Sequence, residues 1–160
     1  MLNMEKAKEL LQATPEESQS LSQHLPPLTS DTKLCFYEQF ILRGIQVDRV
    51  EPGLVVCTFK VPPRFTDRTG KLAKGAVANL VDEVGGAVAH SEGHPMNVSV
   101  DMSISYLSTA HVNDELEITS RLLGRKGGYS GTIVHLRNKA TGELIAEGRH
   151  SLFGRHASKM

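Results

Sequence analysis

Hydrophobic and polar positions change rhythm along this chain. Up to Leu42 the apolar residues recur at helical spacing in short, polar stretches. Glu5 to Ala13 is one such stretch. Thr14-Pro15-Glu16-Glu17 opens another with a capping box and Pro at the first helical position. Leu34 to Leu42 is a third, closed by Arg43-Gly44. From Ile45 the pattern becomes strand-like: Ile45 to Val50 and Leu54 to Val61 flank the turn Glu51-Pro52-Gly53. A polar loop over 64–74 leads to a helix from Gly75 to His90. Then Val98, Val100, Met102, Ile104 and Tyr106 alternate with Ser99, Asp101, Ser103 and Ser105, which predicts a strand with one buried face. Glu115 to Leu123, Ser130 to Asn138 and Glu143 to Phe153 predict three more, turning at Gly127-Gly128 and Ala140-Thr141-Gly142. One helix against one large antiparallel sheet, its last four strands a meander, is an α+β layout. The expected organisation is a helical extension over 1–43, a domain over 44–154 and a tail over 155–160.

The helix carries the most information. At 100° per residue, Ala76, Val77, Leu80, Val81, Val84, Ala87 and Val88 share a core face. The other side holds Gly75, Ala78, Asn79, Asp82, Gly85, Gly86 and Ala89. A solvated stripe normally carries long polar side chains, and each interior glycine costs ~1 kcal/mol relative to alanine. The stripe is therefore expected to face a second subunit or a narrow tunnel, with Asp82 at its centre. Desolvation there would move a carboxylate toward general-base strength. Ala73-Lys74-Gly75 leads into the helix N-terminus, where unpaired N–H groups and the dipole could hold a developing oxyanion.

Composition narrows the choices. A chain of 160 residues with 18 basic and 18 acidic residues has no global field for nucleic acid. No window approaches the ~20 apolar residues of a membrane span. Cys35 and Cys57 read as two reduced thiols of an intracellular protein, with a single disulfide as the other option. Ser158-Lys159-Met160 is similar to the Ser-Lys-Leu peroxisomal address, against the plainer reading of a basic tail. His90 and His94 are four apart, but Gly93 and Pro95 break the helix and no third ligand is evident, so no metal or cofactor is expected. His150 reads as a structural histidine. No Gly-x-Ser-x-Gly elbow accompanies any serine.

Three segments carry a family likeness. They are Asn79-Leu80-Val81-Asp82 on a helix, then Val98-Ser99-Val100-Asp101-Met102 with Tyr106-Leu107-Ser108, then Asn138-Lys139-Ala140-Thr141-Gly142-Glu143-Leu144-Ile145-Ala146-Glu147-Gly148-Arg149-His150. In this order they resemble the small hotdog-fold acyl-CoA thioesterases of the thioesterase-superfamily-member-2 and PaaI-like type, with their plant relatives. The resemblance covers roughly residues 40–154. It implies a long helix wrapped by a curved antiparallel sheet, and homo-oligomers in which dimers share a continuous sheet and pair as tetramers. Active sites would lie between protomers. It implies Asp82 as general base or nucleophile, Ser99 orienting the water, and a backbone N–H of Lys74 or Gly75 polarising the thioester carbonyl. Two positions depart from the family. Ala73-Lys74-Gly75 stands where it usually reads His-Gly-Gly, and Asp67 stands where an Asn usually precedes that motif. A carboxylate at Asp67 would repel a developing oxyanion unless protonated or paired, and Lys74 or Arg68 could pair with it.

The same resemblance points to Tyr106, Leu107, Ser108 and His111, and to Arg125, Lys126, Gly127 and Tyr129, as coenzyme-binding positions. Charge agrees in part: residues 121–160 hold eight basic residues against two acidic ones, enough to suit the phosphates of coenzyme A, though a solvated sheet surface would look alike. The implied function is hydrolysis of an acyl-CoA to free acid and coenzyme A, in fatty-acid metabolism. The alternative is a non-catalytic acyl-CoA-binding protein on the same scaffold.

Overall fold

Gly53 takes a left-handed φ of +73° and folds two seven-residue strands into a hairpin, β1 (Ile45–Glu51) and β2 (Leu54–Lys60). In the computed structural model, which describes residues 14–16, 19, 36–91 and 98–154, a short helix α1 (Phe36–Leu42) precedes this hairpin. A 3-10 turn (Pro63–Phe65) and the long helix α2 (Lys74–His90) follow it. The chain continues through β3 (Val98–Tyr106), β4 (Glu115–Lys126), β5 (Tyr129–Asn138) and β6 (Leu144–Phe153). It divides into two compact units, residues 1–40 and 41–160. Of the capping box, Pro15 and Glu16 are helical. The stretch Glu5 to Ala13, Cys35, His94 and Ser158-Lys159-Met160 lie outside the described residues.

All six strands form one curved antiparallel sheet in the order β1-β2-β4-β5-β6-β3. The four-strand meander expected from the sequence is therefore three strands, β4-β5-β6. After α2 the chain re-enters at the far edge, so β3 pairs with β6 and leaves β2 beside β4. Helix length explains this. The 17 residues of α2 span ~25 Å, enough to carry the chain across several strands spaced ~4.8 Å apart.

The core lies between α2 and the inward rows of the sheet. Val77, Leu80, Val81, Val84 and Val88 pack with Phe59, Leu116, Ile118, Val134 and Leu136, all at most 4% exposed. Each such side chain contributes ~1.5–3 kcal/mol by leaving water. Gly148 on β6 lies under Val81, whose methyls would overlap any Cβ there, so a glycine lets helix and sheet meet. The buried arc of α2 is rotated from the one the sequence predicts. Gly85 and Ala89 are buried and Ala87 is exposed, because β5 and β6 rise on that side of the helix.

β3 departs from expectation in two ways. The strand is exposed along almost its whole length, so its apolar row is not buried within one chain. Its alternation also changes phase. A bulge between Ser99 and Asp101 leaves Val100 unpaired, so Ser99 opposes the inward Leu152 while Met102 opposes the inward His150. Ser99 thereby joins the helix-facing row with Met102, Ile104 and Tyr106, although simple period 2 puts it on the opposite face.

Candidate functional site

The middle of α2 and the start of β3 bring Asp82 and Ser99 together. Ser99 Oγ donates to Asp82 Oδ1 at 2.9 Å. The bulge at Val100 makes this contact. His150, on β6, completes the group: its Nε2 stands 3.4 Å from the same Oδ1. The Asp82 side chain is 46% exposed and that of His150 is 0% exposed. Neither ring nitrogen of His150 has a hydrogen-bond partner among the described residues. Burial holds the His150 imidazolium below its ordinary range, with the Asp82 carboxylate acting the other way. These three residues open onto a cavity of about 280 Å³, shared with Glu83, Gly86 and His90.

A second cluster sits at the N-terminus of α2. No side chain caps this end, and Val77 is the first residue whose N–H reaches Ala73 O. The N–H groups of Lys74, Gly75 and Ala76 therefore lie beyond the helix's own carbonyls. Tyr106 Oη donates to Lys74 O at 3.3 Å, and the Lys74 ammonium lies 5.5 Å from the Tyr106 ring centroid. The long Lys74 side chain is thus laid across an aromatic face. A cavity of about 380 Å³ is lined here by Asp67, Lys71, Lys74, Tyr106, Ser108 and their neighbours. Ser108 Oγ donates to Glu143, Leu107 is exposed, and His111 pairs with Lys71 through an isolated main-chain β-bridge while its N–H donates to Asp114 at 2.8 Å.

Asp67 does not pair with Lys74 or Arg68 as the sequence suggests. Its Oδ1 accepts the Thr69 N–H and hydroxyl, each at 2.7 Å, and the Lys71 N–H at 3.1 Å. These donors hold its carboxyl below the ordinary carboxylate value. Asp67 therefore organises the turn ahead of the helix, a role that a short Asx side chain fills well.

The remaining expected coenzyme contacts are elsewhere. Arg125, Lys126, Gly127 and Tyr129 form the β4–β5 hairpin. The Arg125 guanidinium donates to Ala89 O and Ser130 Oγ, capping the C-terminal end of α2. Tyr129 packs on Phe153 at a centroid distance of 5.0 Å. Ala89 and Lys74 are fifteen positions apart on one helix, ~22 Å. Within one chain, then, the two proposed coenzyme segments occupy opposite ends of α2. Arg121 and Arg149 flank Ile133 in one outward row across β4, β5 and β6, so part of the basic character lies on the outer sheet face.

Sequence reasoning read His150 as a structural histidine and did not anticipate its approach to Asp82. In β6 the inward row reads Ala146, Gly148, His150, Leu152, which sets one polar ring among small and apolar residues; that it faces a helix glycine follows only from the fold.

The profile of the Thioesterase superfamily matches residues 69–133. The chain is 39% identical over 112 residues to human acyl-coenzyme A thioesterase 13, an alignment covering 69% of this chain and 80% of that protein. This chain belongs to the thioesterase superfamily. The zebrafish thioesterase superfamily member 2 superposes with a TM-score of 0.70 at 32% identity, covering 89% of this chain and 99% of that one. The hypothetical thioesterase protein of Streptococcus pneumoniae TIGR4, solved with coenzyme A, shares the fold at a TM-score of 0.65 and 23% identity, over 70% and 88% of the chains. The hotdog architecture expected from the sequence is the one observed. No helix among the described residues is long and apolar enough to cross a membrane, and they hold no cluster of three or more potential metal ligands.

Proposed function

We propose that this thioesterase-superfamily protein hydrolyses acyl-CoA thioesters at a site built by two protomers. The observation that carries this reading is the Ser99–Asp82 contact at 2.9 Å beside an open cavity, in a chain 39% identical to an acyl-CoA thioesterase. Asp82 accepts a proton from water as that water attacks the thioester carbonyl. The oxyanion is held by the N–H groups at the start of α2, with Lys74 the first donor. The tetrahedral intermediate collapses with cleavage of the C–S bond, and coenzyme A leaves with the proton returned by Asp82.

With these roles, distance supports a second protomer. Lys74 and Asp82 are eight positions apart on one helix, ~12 Å, whereas base and oxyanion donor must both lie within ~3 Å of the groups they serve. Asp82 of one chain therefore faces the helix start of another. β3 supports the same assembly, being a sheet edge with exposed Val98, Val100, Met102 and Tyr106 that a second β3 could continue. A dimer of such dimers would bring the outward basic rows toward the coenzyme phosphates.

A thiol-release assay across short, long and aromatic acyl-CoAs, paired with calorimetric binding, tests the reading. Turnover that falls ~10²-fold or more in Asp82→Asn supports it. Binding without turnover in the parent protein would select the acyl-CoA-binding alternative that the Ala73-Lys74-Gly75 segment leaves open.

A further inference from the structure

We infer that His150 is a positioning residue for Asp82: it donates from Nε2–H to Oδ1 and so leaves Oδ2 aimed at the attacking water. This rests on the reading of Asp82 as the base. The starting point is an anomaly. A fully buried imidazole with two unpaired nitrogens is rare, because each lost hydrogen bond carries a desolvation cost. The ring is nevertheless held firmly. A Cβ on Gly85 would come within 2.9 Å of Nδ1, and Val134 and Thr132 close the same space. The main-chain carbonyl of His150 takes the Thr132 hydroxyl. Nδ1 is thus sealed against α2, and Nε2 is the nitrogen turned toward the cavity.

The groups facing this ring are few. From α2 come Asp82, Glu83 and His90, which share its cavity; from β3 comes Ser99; β5 contributes Thr132 and Val134. Asp82 is the one placed within 4 Å as an ion-pair partner. Ser99 already donates to Oδ1, so a second donor on that oxygen fixes the carboxylate plane. A contact of 3.4 Å is long for a hydrogen bond, and a small shift of ring or carboxylate brings it into range. A neutral ring carrying its proton on Nε2 can make this bond. The opposite tautomer would set a lone pair against the carboxylate.

Two measurements on the full chain test the inference. First, His150→Phe should lower kcat ~10-fold or more with KM nearly unchanged, and shift the acid limb of the kcat profile to higher pH. His150→Gln, which restores an N–H donor, should recover part of both. A merely structural role would alter stability without moving the pH limb. Second, nitrogen NMR of the parent protein reads the tautomer directly, without any variant having to fold. An Nε2–H ring whose shift changes in Asp82→Asn supports the inference; an Nδ1–H ring overturns it. If Asp82→Asn is slow while His150→Phe keeps the parent kcat and pH profile, His150 alone is excluded. If Asp82→Asn is as fast as the parent, the base assignment and this inference fall together.

Discussion

The two edges of the sheet are built differently, although both end in unpaired backbone groups. β1 interleaves its exposed Val47 and Val50 with Gln46, Asp48, Arg49 and Glu51. Arg49 and Glu51 form an ion pair at 3.5 Å, Asp48 takes the Thr58 hydroxyl at 2.6 Å, and a bulge interrupts the strand between Val47 and Arg49. Charges and bulges are how a sheet edge avoids pairing with another chain. β3 is two residues longer and carries one charge, Asp101, among Val98, Val100, Met102, Ile104 and Tyr106. Its bulge turns Ser99 toward Asp82, so the edge left open is also the edge that builds the site. One edge carries the features that discourage association; the other carries few of them, and on the proposed reading it is where a second chain adds beside Asp82 and Ser99.

Charging the open edge should have the largest effect. Val100→Asp is expected to convert dimers to monomers in sedimentation and to lower thioesterase turnover by ~10³-fold, since it separates base from oxyanion donors. Val47→Asp on β1 should leave both unchanged; equal effects at the two edges would remove the distinction. On α2, Gly85→Ala should destabilise the fold by ~1–3 kcal/mol in thermal melts, because its Cβ meets His150 and Val134. Gly75→Ala, with nothing within 4 Å of the new Cβ, should be neutral to slightly stabilising. A pH dependence of stability is also expected. His150 binds a proton less readily folded than at its unfolded value of 6.5. The unfolded chain therefore takes up that proton first. Stability should be full above pH 6.5 and fall as pH drops below it, by at most ~1.4 kcal/mol per unit for one proton. Denaturant melts of His150→Gln should lack that slope.

Much of this was legible in the sequence. The helix and all six strands follow from apolar periodicity and from Gly and Pro at the turns, because each element pairs one apolar row with a common core. Strand order was not legible. Which edge β3 joins depends on where α2 delivers the chain, and no local pattern records that. Nor was the bulge at Val100, since Val98 to Tyr106 alternates without a flaw and the phase shift comes from pairing with β6. Asp82 stood out as an acid on a stripe of small residues. His150 did not, because a lone histidine on a strand acquires meaning only when the helix opposite is placed. The locking of Asp67 by Thr69 and Lys71 likewise depends on a turn geometry that residue types alone leave undetermined.

The central claim is that base and oxyanion donor come from different protomers, and mixing two inactive variants tests it. Asp82→Asn removes the base. Lys74→Pro removes the first N–H while suiting the first helical position after the extended Ala73. Lys74→Ala, which keeps that N–H, is its control. Each variant alone should be nearly inactive, and after subunit exchange the mixture should regain about a quarter of parent turnover, because half the dimers then hold one intact site of two. Exchange verified by mass, with turnover still no higher than in the separate variants, would contradict a shared site.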